Sequence, residues 1–281
     1  MRELRFVITP FCNYRCFFCH GENACRKISL LLSPKDYEFM ACTVKHHFGW
    51  NTATITGGEP LISPIFSDVC RRLKSNGIST TVITNASLLA RPSEMLADIS
   101  QVNISLHTTD PTIYERIVQV RYPLEDILST ITRVREQLPS LIIHLNYTVI
   151  RGVNDTNRDF EAVIDFARGV RATVKFIDLS TQDANYATDA AGIVQQLCRL
   201  GFLIVSSTPW QFFLSRGGEE IVVTKCPFNG RHTDAPIRDV FVDADGVIYT
   251  SYGSAKTVSA LEDVKSRDPN GLLQKISSLL S

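Results

Sequence analysis

Three cysteines, Cys12, Cys16 and Cys19, stand in the stretch CNYRCFFCHGE with C-x3-C-x2-C spacing. A disulfide takes thiols in pairs, so three within one short loop leave one over. The chain opens without a basic segment, apolar stretch and small-residue cleavage site, so a cytoplasmic location is expected. There thiols stay reduced and structural disulfides are rare. Structural zinc wants four ligands, usually as two C-x2-C pairs. His20 is a fourth donor by type, but it adjoins Cys19 and is poorly placed to fold back onto the same metal. The third use is an iron–sulfur cluster, for which thiolates are the normal ligands. Three thiolates on a four-iron cube leave one iron open to something other than protein. On the cysteines alone the three uses stay open, and the context must weigh them.

The elements that must position these thiols are legible as alternation. Strand-like runs at 4–9, 52–57, 79–84, 101–107, 141–151 and 173–180 alternate with helical stretches at 33–49, 64–77, 92–99, 123–139, 156–170 and 189–202. A further short helix is expected in DPTIYERIV. Ser33 and Pro34 read as the cap and first residue of their helix. About six β-α units in succession imply parallel strands joined by right-handed crossovers. The expected fold is α/β: a partial (β/α)6 TIM-like barrel, with chemistry at the C-terminal strand ends. The cysteines lie directly after the first strand. Residues 1–204 are expected to form this core. Residues 205–281 are expected to form a small α+β extension, with strands in EEIVVTKCPF and IRDVFVDADGVIYTS, a hairpin turn at Asp245-Gly246 and a terminal helix.

Composition excludes little but agrees. The 281 residues carry no net charge and no basic run that would suggest nucleic acid. No run of about twenty apolar residues suggests a membrane span.

The other predicted strand ends are polar. The second is followed by TGGEP, in which Gly57 and Gly58 allow close backbone approach and Glu59 supplies a carboxylate. Thr84 and Asn85 follow the third, and Ser105 and His107 close the fourth. Asn146 lies in the fifth strand; Lys175 and Asp178 lie in the sixth. Each alone is more often an ordinary strand-end group than a ligand. Together they ring one face of the barrel and suit a zwitterionic, nucleoside-bearing ligand.

The cysteine loop with Phe18 before its last cysteine, followed by TGGEP at the next strand end, resembles the radical S-adenosylmethionine (SAM) superfamily. Within it LRFVITPFCNYRC, ITGGEPL, ITNA, VNISLHTTDP, NYTVIRGVND and VKFIDLS look most like the GTP 3′,8-cyclase branch of molybdenum-cofactor biosynthesis. The resemblance covers roughly residues 4–180. It implies that Cys12, Cys16 and Cys19 hold a [4Fe–4S] cluster whose free iron takes the amino and carboxylate groups of SAM. It implies that Gly57, Gly58 and Glu59 meet the methionine amino group. Thr84 and Ser105 match SAM-binding positions, Asn146 matches a further pocket position, and backbone near Phe18 and Val149 would flank adenine. The reaction implied is one-electron cleavage of SAM to a 5′-deoxyadenosyl radical, which takes hydrogen from a small-molecule, nucleotide or peptide substrate. A flavodoxin or ferredoxin-type reductant is implied with it.

The branch's own chemistry is matched less well. Its second cluster needs a C-x2-C pair and a later cysteine, whereas here only Cys226 remains, with Asn229 at the partner position and Ser251 near the later one. The segment NTATITGG lacks the basic residues that hold a triphosphate, and the chain stops at ISSLLS without a glycine-rich tail. GTP cyclisation is therefore the alternative reading, and glycyl-radical activation ranks behind it. Arg5, His20, His107, Lys175 and Cys226 are the candidates for touching substrate. Cys42, Cys70 and Cys198, in predicted helices, are expected as small apolar core residues.

Overall fold

The computed structural model describes residues 2–19, 29–181, 183–226, 237, 239–251 and 256–280. The alternating part runs β1 (Glu3–Val7), α1 (Pro34–Phe48), β2 (Thr52–Thr56), α2 (Phe66–Ser75), β3 (Ser79–Thr84), α3 (Pro92–Met95), β4 (Gln101–Ser105), α4 (Pro111–Val118), α5 (Leu124–Gln137), β5 (Ile142–Val149), α6 (Asn157–Gly169), β6 (Thr173–Asp178) and α7 (Ala190–Arg199). Then follow β7 (Leu203–Ser207), β8 (Gln211–Arg216), β9 (Glu219–Thr224), β10 (Asp239–Asp243), β11 (Val247–Tyr249), β12 (Val258–Ser259), α8 (Leu261–Ser266) and α9 (Pro269–Leu280). One open sheet joins the strands in the order β12-β11-β10-β1-β2-β3-β4-β5-β6-β9-β8-β7. From β10 through β1–β6 to β9 every pairing is parallel. This is a partial barrel, as the alternation predicts.

Register divides the sheet into two faces, because successive side chains point opposite ways. Val242, Phe6, Ile55, Val82, Val102 and Ile143 form one continuous row across six strands, and each is buried. This apolar face packs under the helices. Burying each such side chain contributes about 1.5–3 kcal/mol, so the row fixes the register on which the strand ends depend. The opposite, concave face is polar: Arg5, Thr54, Thr81 and Gln101 share its lowest row. Of the cysteines expected in the core, Cys70 is buried and Cys42 half-buried, but Cys198 is exposed. It lies on the outer side of α7, whose buried residues are Ala190, Ile193, Val194 and Leu197.

The segment after residue 204 adds strands to both edges of the sheet. β9 lies parallel to β6, and β10 lies parallel to β1. The predicted hairpin at Asp245-Gly246 is present between β10 and β11. The hairpin of β7 and β8 went unread. β7 is exposed along its whole length and so has no inward-facing alternation to detect. The available signal was Thr208-Pro209, a turn in which Thr208 Oγ1 accepts from Trp210 N–H at 3.3 Å and Gln211 N–H at 3.0 Å. Among the described residues no helix is long and apolar enough to cross a membrane.

Helix α8 is pinned to α1 through Asp36, which is 2% exposed. Its carboxylate accepts from the Ser33 backbone at 2.7 Å and from Lys265 at 2.6 Å, and Arg267 lies 2.9 Å away. Burial alone would raise its pKa, but Lys265 and Ser33 outweigh it and hold the carboxyl below the usual range. An Asp36→Asn protein is expected to lose about 2 kcal/mol, or roughly 4–8 °C in melting temperature. Because the folded pKa is depressed, this contribution is complete above the unfolded carboxylate pKa and fades as pH falls through the folded value. The melting difference between wild type and Asp36→Asn should therefore shrink in acid.

Candidate active site

The loop after β1 lies across the C-terminal end of α4. Arg15 N–H donates to the Val118 carbonyl at 3.0 Å, and Phe17 N–H to the Ile117 carbonyl at 3.1 Å. These are carbonyls that a helix end leaves without intrahelical partners. Cys16 is thus held between two anchored neighbours. Tyr14 is buried beneath the loop, its hydroxyl 2.6 Å from that of Tyr114 and its ring 6.2 Å from Tyr122. Its backbone N–H points at Cys12 Sγ, 3.3 Å away.

Cys12, Cys16 and Cys19 are all free thiols, with Cys12 and Cys19 exposed and Cys16 half-buried. Burial, then the charges of Cys19 and Cys12, push Cys16 up to about 12. Cys12 is raised by burial first, with Glu59 and Cys19 adding to it. The three sulfurs are near enough to oppose one another's ionisation, a cost that bound cationic iron reverses. Yet among the described residues no three His, Cys, Asp or Glu side chains converge as they would around one metal ion. Thiolates are the normal ligands of an iron–sulfur cluster, and three free thiols on one short loop suit a four-iron cube with one iron left open, so the donor set fits the cluster.

The second strand end is clamped to this loop. Gly58 N–H donates to the Thr9 carbonyl at 2.8 Å, and Glu59 N–H to the Phe11 carbonyl at 2.7 Å. A Cβ on Gly57 would lie 2.5 Å from the Thr9 oxygen, and one on Gly58 only 2.3 Å from the Phe11 oxygen. The two glycines let backbone meet backbone, so the clamp is specific to their having no side chain. The Glu59 carboxylate turns inward and is 1% exposed. One oxygen accepts from Leu61 N–H at 3.1 Å and Thr84 Oγ1 at 2.8 Å; the other accepts from Asn85 N–H at 2.7 Å. Burial raises its pKa to about 6, against the pull of these donors.

Asn85 carries the connection onward. Its amide donates to Asn13 Oδ1 at 2.9 Å, and Asn13 donates to Ser87 at 2.8 Å. Glu59 therefore ties the second and third strand ends together, and Asn85 ties both to the cysteine loop. Glu59→Ala would strand three buried donors and is expected to cost about 4 kcal/mol. Glu59→Gln, which keeps one carbonyl oxygen, should cost about half of that. Thermal melts of the two variants check the order.

The concave face holds the remaining candidates in rows. Ser105, Asn146 and Lys175 are in register on β4, β5 and β6. One pleat lower stand Asn103, His144 and Thr173. His144 is pushed down to about 4 by burial and then by Lys175. Asn146 Oδ1 is buried without a hydrogen-bond partner. Arg5 lies a further pleat down, about 13 Å below the Ser105 row, paired with Asp239 at 3.0 Å. Val149 closes β5 and its carbonyl accepts from Thr188 at 2.8 Å. Cys226 follows β9, with its backbone N–H on the buried carboxylate of Asp178. His20 and Asn229 lie outside the described residues.

The structure thus gathers Cys12, Cys16, Cys19, Phe18, Gly57, Gly58, Glu59, Thr84 and His107 at one strand-end rim. Ser105, Asn146 and Lys175 line the wall below it. Sequence reasoning did not single out Asn13, Tyr14 or Asn154. Asn154 is fully buried; its amide donates to the carbonyls of His107 at 2.7 Å and Thr148 at 2.9 Å, and its Oδ1 accepts from Ile150 N–H. The signal was a fully polar asparagine inside the otherwise turn-like RGVND.

Residues 6–167 match the family described as the radical SAM superfamily. A probable GTP 3′,8-cyclase of Pyrobaculum aerophilum is 31% identical over 182 residues, which is 64% of this chain and 58% of that protein. The GTP 3′,8-cyclase of Chlorobaculum tepidum is 32% identical over 190 residues, 64% of this chain and 54% of that protein. The chain therefore spans less than two thirds of these curated relatives. Among solved structures, Streptococcus suis SuiB bound to S-adenosylmethionine has a TM-score of 0.72 at 17% identity, covering 95% of this chain and 66% of that one. Native anSMEcpe with bound AdoMet has a TM-score of 0.64 at 12% identity, covering 100% of this chain and 83% of that one. At these identities the two structures share the fold.

Proposed function

The chain belongs to the radical SAM superfamily, and from that premise we propose that it acts on a small-molecule, nucleotide or peptide substrate bound on the concave polar face. Its cofactors are a [4Fe–4S] cluster and SAM, as for the family. When bound, they supply a 5′-deoxyadenosyl radical, by one-electron cleavage of SAM, that removes a hydrogen atom from substrate. Cys12, Cys16 and Cys19 hold the cluster. Gly57, Gly58 and Glu59 fix the loop that carries these thiols and border the methionine end of SAM. Phe18, Thr84, Ser105, Asn146 and Val149 surround the rest of it. Lys175 and Cys226 lie toward the substrate, with Arg5 at the floor. A flavodoxin or ferredoxin-type protein in the cytoplasm supplies the electron.

The observation that carries this reading is the backbone clamp from Gly58 and Glu59 N–H to the Thr9 and Phe11 carbonyls that lead into the cysteine loop, at 2.8 Å and 2.7 Å. It joins the three thiols to the next strand end as one rigid unit. A second reading, GTP 3′,8-cyclisation, is favoured by the names of the curated relatives. One experiment addresses both. The protein is reconstituted anaerobically with iron and sulfide, reduced with dithionite and given SAM, with or without GTP. Formation of 5′-deoxyadenosine is expected in wild type; its absence from cluster-loaded protein would overturn the first reading. A GTP-dependent product with a new ring carbon bond would move the second reading to the front.

A further inference from the structure

The buried side chain of Asn85 closes a ring of hydrogen bonds beside the cysteine loop. Its Nδ2 donates to Asn13 Oδ1 at 2.9 Å, Asn13 Nδ2 donates to Ser87 Oγ at 2.8 Å, and Ser87 Oγ donates back to Asn85 Oδ1 at 2.6 Å. Ser87 N–H adds a second bond to that oxygen at 3.0 Å. Two donors on Oδ1 and an acceptor on Nδ2 fix which way the amide faces. A primary amide has two N–H donors, and Asn13 takes one of them. Among the described residues no second oxygen takes the other. It lies beside Cys12, the residue before Asn13. Burial raises the pKa of the Cys12 thiol, and the Tyr14 backbone N–H, 3.3 Å from Sγ, lowers it; Glu59 and Cys19 raise it, and the Asn85 amide lowers it again.

We propose that Asn85 tunes the cluster, its second amide N–H donating to the Cys12 sulfur and so favouring the state reduced by one electron. The inference rests on the cluster reading above and gives a further task to a residue that reading treats only as a tie between strand end and loop. Hydrogen bonds to the sulfurs are among the terms that set a cluster's reduction potential. Reduction adds negative charge, part of which rests on the sulfur ligands. A donor aimed at one of those sulfurs stabilises the more negative form, so the potential rises. The Tyr14 donor is backbone and stays whatever side chain is present. The Asn85 donor is a side chain, so the sequence can set it. The competing role is structural: Asn85 holds Asn13, and Asn13 belongs to the loop.

Three substitutions separate the two roles. Asn13→Ala opens the ring but leaves the Asn85 donor. Asn85→Ala opens the ring and removes the donor. Asn85→Asp keeps an acceptor for Ser87 and puts an oxygen where the donor was. The midpoint potential of the cluster is measured without SAM, by anaerobic redox titration of the EPR signal of the reduced protein, alongside iron content and a thermal melt. Asn85→Ala is expected to shift the reduction equilibrium about tenfold toward the oxidised form, which is about 59 mV lower. Asn85→Asp should move it at least as far in the same direction, because its carboxylate adds negative charge. Asn13→Ala should stay within about threefold of wild type, although it too melts lower. An unchanged potential in Asn85→Ala would overturn the inference. Equal shifts in Asn85→Ala and Asn13→Ala would also overturn it and leave only the structural role. If Asn85→Ala does not fold, Asn85→Asp decides, and a potential at or above wild type overturns the inference. Wild-type protein that takes up no cluster would instead overturn the functional reading on which the inference depends.

Discussion

A Cys16→Ala protein is expected to hold little iron or sulfide after anaerobic reconstitution, and to form 5′-deoxyadenosine more than about 100-fold more slowly than wild type. Loss of a group that only orients a metal ligand costs 10–100-fold, so loss of the ligand itself should exceed that range. Cys16 is the most informative of the three thiols. It is the half-buried one, and its neighbours are fastened to the Val118 and Ile117 carbonyls. The loop cannot slide another side chain into its place. The same fastening should survive the substitution, because the bonds are made by backbone. The metal-free variant should therefore melt within a few degrees of metal-free wild type. Near-normal iron content in Cys16→Ala would show that the cluster is held elsewhere.

Gly58→Ala is expected to cost at least about 3 kcal/mol and to lower SAM cleavage by at least about tenfold. The added Cβ would meet the Phe11 carbonyl oxygen at 2.3 Å, its carbon at 2.4 Å and the Cys12 nitrogen at 2.8 Å. All three are backbone atoms, so no side-chain rotation relieves the contact. Either the cysteine loop lifts or the strand end withdraws, and both moves break the bonds to Thr9 and Phe11. Gly169→Ala, with nothing within 4 Å of its added Cβ, is the control. It lies at the end of α6 and should be neutral or slightly stabilising. Equal melting temperatures for the two variants would show that the clamp does not matter to the fold.

The cysteine spacing, the glycine pair and the β-α alternation were legible because each imposes a local rule. Thiols must be near in sequence to share a short loop, glycine marks close approach, and period changes mark strands and helices. What Glu59 does was not legible in the same way. A carboxylate after two glycines reads equally as a ligand or as a strut, and only the positions of Leu61, Thr84 and Asn85 show both oxygens engaged. The placement of β9 and β10 was hidden for a different reason. Their sequences read as strands, but nothing local says that one joins β6 and the other joins β1. Pairing partners distant in sequence are chosen by the whole sheet. The exposed β7 carries no burial pattern at all, so its apolar residues gave no face to read.

The pairing of β1 with β10 has a consequence for how the chain is made. Glu3 is matched with Asp239 and Val7 with Asp243, so one side of β1 waits until residue 243 has left the ribosome. Synthesis at about 5–20 residues per second makes that wait tens of seconds. Until then the strand that leads into the cysteine loop has a bare edge, able to pair wrongly with another nascent chain. Such distant pairing is also slow to form once the chain is free. The foundation of the thiol loop is thus among the last parts of the sheet to be completed. Iron delivered before release would meet a loop anchored on one side only.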